Sequence, residues 1–132
     1  IFEVRLVLEG FCARLAAQRI LPEQLCEMKA ITDELQRVPD SDRRALMHID
    51  EAFHDLLYEA ADNEFIAEPL RRLHAQSFRL WHMALDRMGT VRHAMVQHVE
   101  ITAALEAKDE DRAEALIRQH ILEFQQELRT VL

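Results

Sequence analysis

The sequence predicts an all-α fold, an antiparallel bundle of about six helices in one domain. Apolar residues recur at steps of three and four through six separate segments, the spacing that aligns one face of a helix. Only 2 glycines and 3 prolines occur in 132 residues, whereas Ala, Leu, Glu, Arg and Gln are abundant. These abundant residues favour helices, and the scarcity of turn-forming residues leaves little material for β-hairpins.

Short interruptions of the apolar pattern predict where the helices begin and end. The first helix is predicted at about residues 2–19, and Pro22 suits the first turn of the second. The third helix is predicted at about residues 42–61, with Ser41 or Asp42 as its N-cap. The fourth, fifth and sixth helices follow breaks at residues 62–65, 88–90 and just before 109–111.

The apolar faces of these helices predict much of the core. The third helix is expected to bury Leu46, Ile49, Phe53, Leu56, Leu57 and Ala60. The fourth is expected to bury Phe65, Ile66, Leu70, Leu73, Ser77, Leu80, Trp81 and Ala84. The inner face of the fifth is predicted at Val91, Ala94, Met95, Ile101 and Leu105.

Charge and cysteine content exclude several functional classes. Sixteen Lys and Arg against 24 Asp and Glu give a net charge of −8, so this domain is not expected to bind nucleic acid by itself. Cys12 and Cys26 match no zinc-finger spacing, and reduced thiols in the cytoplasm are expected. No apolar run approaches membrane-spanning length and no signal peptide is visible. The chain begins without Met inside a predicted helix, so we expect a fragment of a longer protein.

One acid and three histidines have the positions of a metal site. Asp50 and His54 lie four residues apart, one helical turn, and so project from the same side of the third helix. His98 and His120 fall near the centres of the apolar faces of the fifth and sixth helices. A set of three imidazoles and a carboxylate without sulfur suits zinc, nickel, manganese, cobalt or ferrous iron, with zinc as the first choice.

A single inward-facing histidine is more often a core residue with a hydrogen-bond partner than a metal ligand. Here four polar groups point inward together, and burying them unpaired would cost on the order of 1–3 kcal/mol each. A divalent cation would satisfy all four, which favours the metal site. His48, His82 and His93 are predicted at the surface, and the pattern leaves His74 undecided.

Three further polar residues have two interpretations each. Arg5 and Glu9 lie on or beside the inner face of the first helix, either as a buried ion pair or as part of a ligand pocket. Asn63 either caps the third helix or reaches the pocket.

Three stretches of the sequence resemble a known family. FEVRLVLEGFCARLAA, DEAFHDLLYEAADN and QHVEITAALEAKDEDRAEALIRQHI resemble, in this order, the opening helix, the D-x-x-x-H helix and the closing helix pair of the FCD domain. This is the effector-binding domain of FadR-type GntR transcription regulators, and the resemblance covers essentially all of residues 1–132. The fourth helix is the least family-like stretch.

The resemblance implies a helical bundle with a central cavity, in which one Asp and three His bind a metal. Those positions fall on Asp50, His54, His98 and His120. It further implies a small carboxylate effector, a homodimer formed through this domain, and operator DNA bound only by an upstream winged helix-turn-helix domain that is absent here. The residues we assign to the effector are Arg5, Glu9, Asn63 and Ser77.

The sequence therefore favours a ligand-sensing regulatory domain that is not an enzyme. One alternative is a metal-dependent hydrolase or lyase, in which the open metal position activates water. Against it, the sequence has no HExxH motif, and Glu9 is the one inward acid besides Asp50 that could serve as a general base. A second alternative is a purely structural dimerisation bundle without metal.

Overall fold

The computed structural model describes residues 1–89 and 92–131, which form six α-helices and one short 3-10 helix. The prediction of an all-α bundle is confirmed. Val91, predicted on the inner face of the fifth helix, lies outside the described residues. The elements are α1 (Phe2–Arg19), α2 (Pro22–Arg37), α3 (Arg43–Ala61), α4 (Glu64–Ala84), the 3-10 helix (Leu85–Arg87), α5 (Arg92–Glu106) and α6 (Glu110–Val131).

Local capping explains the boundaries of α3 and α4. The side chain of Asp42 accepts a hydrogen bond from the backbone N–H of Ala45 and so caps the start of α3. Asp62 ends α3 in the left-handed conformation, with φ of 51°. Asn63 accepts a hydrogen bond from the N–H of Phe65. The prediction that Asn63 caps the third helix was therefore wrong, because this residue caps the start of the fourth.

The inner face of α4 also differs from the prediction. Phe65 is 93% exposed, and Leu73 and Leu80 are half-buried. The buried residues of this helix include Ala67 and His74 instead. At about 100° per residue, the buried face is thus turned away from Phe65 towards Ala67 and His74.

Helix α1 lies at the centre of the packing. It runs along α6 and also contacts α3, α4 and α5. Gly10 permits a close approach to α6, because a Cβ atom there would lie 3.3 Å from side-chain carbons of Arg118. At the surface of the same pair of helices, Arg14 forms an ion pair with Asp111 at 2.7 Å.

The core consists of two hydrophobic clusters. One cluster is rich in alanines of α1 and includes Phe53, Leu70, Ile101 and Ile117. The other includes Ile49, Trp81, Met95 and Leu128. Eight of the buried polar residues lie on α1 and on α3 to α6, and on each of α3 to α6 at least one of them lies in sequence between members of the two clusters. We call this set of residues the polar layer, and its members are Arg5, Glu9, Asp50, His54, His74, Ser77, His98 and His120.

None of the helices in the described ranges combines the length and apolar character needed to cross a membrane.

Candidate metal centre

The structure brings Asp50, His54, His98 and His120 together in the polar layer. One possible ligand atom from each lies within 4.8 Å of those of the other three, and all four residues are buried. Asp50 Oδ1 is 3.2 Å from the Nε2 atoms of both His54 and His98. It is 3.9 Å from the Nε2 of His120.

Three helices position these side chains. Asp50 and His54 project from successive turns of α3, while α5 and α6 supply His98 and His120. The ring of Phe53 stacks on that of His98, with centroids 4.2 Å apart and planes 6° from parallel. This stacking restrains the plane of the His98 imidazole, whose Nε2 lies 3.2 Å from Asp50 Oδ1.

The four side chains fit a divalent metal ion. The Nε2 atoms of His54 and His98 are buried and have no hydrogen-bond partner within the described part of the chain. Leaving such groups unpaired in the interior costs free energy, whereas an ion coordinated by them would remove that cost. Three imidazole nitrogens and one carboxylate oxygen are donors that zinc and its first-row neighbours accept.

Burial and neighbouring charges determine the protonation of the site. Burial alone would lower the pKa of His54, but the carboxylates of Asp50 and Glu9 outweigh it and raise that pKa to about 9. Burial lowers the pKa of His98 and moves that of His120 well below its usual value. His98 and His120 are therefore neutral and offer a lone pair, while His54 must release a proton before it can act as a ligand.

The opposite balance holds for Asp50. Burial raises the pKa of this carboxyl, but the adjacent histidines, His54 foremost, outweigh burial and hold the pKa well below its usual range. Asp50 is therefore ionised and can act as an acceptor or a ligand.

His74 is a member of the site that the sequence left undecided. Its Nε2 is 3.2 Å from Asp50 Oδ2, and the residue is 7% exposed. The two oxygens of Asp50 thus face different partners, Oδ2 towards His74 and Oδ1 towards the other three histidines. Ala67 lies on the same face of α4 and was the signal in the sequence that His74 is buried. A small residue contributes little to an apolar pattern, so this signal was weak.

Glu9 lies behind His54 and is completely buried. Tyr58 donates its hydroxyl hydrogen to Glu9 Oε1, and Glu9 Oε2 is 3.6 Å from Nδ1 of His54. Arg5 Nε is 3.7 Å from Glu9 Oε1. Burial raises the pKa of Glu9, but His54 and then Arg5 outweigh it and lower the pKa to about 2. The carboxylate of Glu9 therefore serves the buried ion pair and His54.

A cavity of about 20 Å³ borders two of the four candidate ligands, Asp50 and His120, and has room for about one water molecule. Its polar end consists of Arg5, Asp50, His74, Ser77 and His120. Its remaining walls are apolar apart from Glu127 and consist of Phe78, Trp81, Met88, Ala94, Met95, Ile121 and Phe124. The indole Nε1 of Trp81 is buried without a hydrogen-bond partner among the described residues.

The four residues assigned to the effector occupy different places. Arg5 and Ser77 line the cavity, and the Ser77 hydroxyl donates to the carbonyl of Leu73. Glu9 faces Tyr58 and His54 instead, and Asn63 caps α4. The structure thus brings Arg5 and Ser77 to the metal candidate and does not bring Glu9 and Asn63 to the cavity wall.

A comparison with known families assigns this fold. Residues 1–123 match the model of the FCD domain. The chain belongs to the FCD domain family. The family membership that the three sequence stretches indicated is thereby confirmed.

Two curated relatives of this FCD domain are named as transcriptional regulators. The HTH-type transcriptional repressor RspR of Escherichia coli strain K12 is 28% identical over 131 residues, which cover 97% of this chain and 57% of the relative. The Nta operon transcriptional regulator of Aminobacter aminovorans is 26% identical over 122 residues, which cover 92% of this chain and 56% of the relative. The FCD domain thus spans a little more than half the length of these relatives.

Solved structures share the fold of this FCD domain. Escherichia coli McbR/YncC superposes with a TM-score of 0.87 at 18% identity, covering 97% of this chain and 62% of that one. A structure described as a metal-free FCD domain of TM0439 superposes with a TM-score of 0.79 at 21% identity, covering 98% of this chain and 89% of that one. At these identities the likeness shows the helical fold.

Proposed function

We propose that this FCD domain is the effector-sensing part of a cytoplasmic GntR-type transcription regulator, which binds a divalent metal and a small carboxylate. The observation that carries the proposal is the meeting of Asp50, His54, His98 and His120 in the core, where the Nε2 atoms of His54 and His98 form no hydrogen bond within the described residues. The names of the curated relatives support the regulatory role.

Asp50, His54, His98 and His120 would hold the ion. When bound, it would supply a concentrated positive charge and open coordination positions at the polar end of the cavity. Zinc remains the first choice, with nickel, manganese, cobalt and iron as alternatives. The cavity borders Asp50 and His120, so an effector in it would approach the ion beside these two ligands.

A carboxylate suits the polar end of the cavity, which must widen to admit one because it now has room for about one water molecule. Arg5 is 2% exposed and lines this space together with Ser77. A buried guanidinium forms strong charge-assisted hydrogen bonds with a carboxylate. We therefore retain Arg5 and Ser77 as effector contacts, and assign Glu9 to the support of His54 and Asn63 to the capping of α4.

A regulatory role is favoured over a hydrolase or lyase. Glu9 was the acid that the sequence offered as a general base. Its pKa is lowered to about 2, and its carboxylate already accepts the hydrogen bond of Tyr58. A general base works best when its pKa lies near the working pH, so Glu9 is poorly suited to that task.

A homodimer is supported by an exposed apolar strip on α1. Val4, Val7 and Phe11 are 55%, 62% and 49% exposed and follow one another at steps of three and four. Leu122 on the adjacent α6 is 42% exposed. Apolar side chains aligned in this way are typical of an interaction surface. Pairing of two domains through this strip would set the distance between two attached DNA-binding domains, and effector binding would shift that arrangement.

Metal analysis of the purified protein tests the site. We expect bound metal in the wild type and its loss in His98→Ala and His120→Ala. His82→Ala, which removes an exposed histidine of α4, is the matched control and should keep the metal. If the two core variants fold and bind as much metal as the wild type, the assignment is wrong.

A thermal-shift screen of small carboxylates, with and without chelator, tests the effector. Stabilisation should rise with ligand concentration and disappear on chelation.

A further inference from the structure

Two hydrogen bonds in series connect His120 to the protein surface. The Nδ1 of His120 is 2.7 Å from Oε1 of Gln97, and the Nε2 of Gln97 donates to Oε2 of Glu123 at 2.5 Å. His120 and Gln97 are 4% and 5% exposed, whereas the side chain of Glu123 is 38% exposed. The other carboxylate oxygen of Glu123 accepts a hydrogen bond from Gln119 at 3.0 Å.

The donors and acceptors in this series allow only one arrangement. An ionised carboxylate only accepts hydrogen bonds, so the amide of Gln97 must turn its nitrogen towards Glu123. Its carbonyl oxygen then faces His120 and can only accept, so the hydrogen of the neutral imidazole must lie on Nδ1. The lone pair is left on Nε2, the atom that faces Asp50 and the two other histidines.

We propose that Gln97 and Glu123 are positioning residues that fix His120 in the Nδ1–H tautomer and so prepare its Nε2 as a ligand. The inference rests on the metal-binding role proposed above. A buried partner on the second nitrogen is how proteins commonly orient a histidine ligand, and its loss typically weakens metal binding about 10- to 100-fold.

The other two histidines differ from His120 in this respect. Nδ1 of His98 has no hydrogen-bond partner among the described residues. Nδ1 of His54 is 3.6 Å from Glu9, beyond hydrogen-bond distance. His120 is therefore the candidate ligand whose tautomer is set by the protein before any ion arrives.

Nitrogen-15 NMR of the imidazole groups in the metal-free protein tests the proposal without any metal. At about pH 8, above the ordinary histidine pKa, we expect His120 to be found as the Nδ1–H tautomer. Gln97→Met removes the acceptor at nearly constant size. Glu123→Gln keeps the shape but allows either orientation of the Gln97 amide. Both variants should yield a mixture of tautomers.

Two further variants separate this role from general packing. Glu100→Gln removes an exposed ion pair with Arg112 between the same two helices and should leave the His120 tautomer unchanged. The double variant Gln97→Glu, Glu123→Gln exchanges acceptor and donor, so a carboxylate accepts from Nδ1–H and an amide donates to it. It should restore the single tautomer, which a loss of packing would not predict.

The outcomes are decisive. If wild-type His120 carries its hydrogen on Nε2, or if Glu123→Gln keeps as much of the Nδ1–H form as Glu100→Gln, the proposal is overturned. Zinc titration of the same proteins should show about 10-fold weaker binding or more for Gln97→Met. If the wild type and all variants bind no metal while wild-type His120 keeps the Nδ1–H tautomer, the proposed function is overturned. If Gln97→Met and the wild type bind zinc with equal affinity, the preparatory role of Gln97 is overturned.

Discussion

His54 has two acidic neighbours, one at each ring nitrogen. Asp50 lies 3.2 Å from Nε2 and Glu9 lies 3.6 Å from Nδ1. In the metal-free protein a proton on His54 offsets part of the negative charge of these two buried carboxylates, and Arg5 offsets another part. In the proposed site a metal ion would therefore compete with this proton for the same imidazole.

The raised pKa of His54 predicts a pH dependence of stability in the metal-free domain. The pKa of His54 is raised to about 9 in the folded state, from an ordinary value of 6.5. Its stabilising contribution is therefore fully present below about pH 6.5 and is lost as the pH rises through about 9. We expect the free energy of unfolding in urea with chelator to fall by on the order of 1–3 kcal/mol across this range.

The variant His54→Gln should flatten this pH profile, whereas His82→Gln, at an exposed position, should keep it. A wild-type profile that is level between these pH values would contradict the role assigned to the His54 proton.

The sequence was sufficient to select Asp50, His54, His98 and His120, because each is placed by the geometry of its own helix. The role of Glu9 could not be predicted in this way. Its contact with His54 depends on how closely α1 and α3 approach each other, and that distance is a property of the packed bundle.

At the scale of elements, α4 shows how a polar contact alters the face that a helix buries. The sequence prediction counted only large apolar residues, and so placed both Phe65 and Trp81 on the buried face of this helix. In the structure His74 is buried on it because Asp50 on α3 lies across from it, and Phe65 is left in solvent. Apolar periodicity therefore predicted the existence of α4 correctly but misplaced its buried face, and the helix ends at Ala84, before the predicted break at residues 88–90.

The start of α4 provides the second test. Asn63→Ala removes the acceptor for the N–H of Phe65 and should lower the free energy of unfolding by about 1 kcal/mol. Because Asn63 lies away from the cavity wall, the thermal shift produced by a bound carboxylate should keep its size. Ser77→Ala, on the wall, should reduce that shift. A ligand response lost in Asn63→Ala would instead restore this residue to the effector site.

At the scale of the whole molecule, the described residues form two hydrophobic clusters, and on α3 to α6 members of the polar layer lie in sequence between them. Five helices contribute to this layer, and α2 is the one that does not. A ligand in the cavity therefore contacts residues of the polar layer, to which most helices of the bundle contribute. The exposed strip on α1 belongs to the same helix as Arg5. An effector that displaced Arg5 would therefore also shift the surface proposed to form the dimer.

The strip predicts the effect of a charge on assembly. Val7→Glu introduces a carboxylate at a side chain that is 62% exposed, so the fold should be unaffected while the dimer dissociates. Sedimentation or light scattering would show a monomer. Met83→Glu, at a side chain that is 72% exposed on α4, is the control and should remain dimeric. A wild-type monomer, or a dimer that survives Val7→Glu, would refute the proposed surface.

The polar layer lowers the stability of the metal-free fold, and this affects how long the protein persists in a cell. A continuous apolar core at this level would be more stable, since the charges and imidazoles buried there are only partly compensated by one another. A bound ion stabilises the folded state alone and shifts the folding equilibrium towards it. Because quality-control proteases act on the unfolded fraction, we expect the amount of regulator in a cell to follow the supply of its metal. The site would then determine how many copies of the sensor persist as well as what each copy detects.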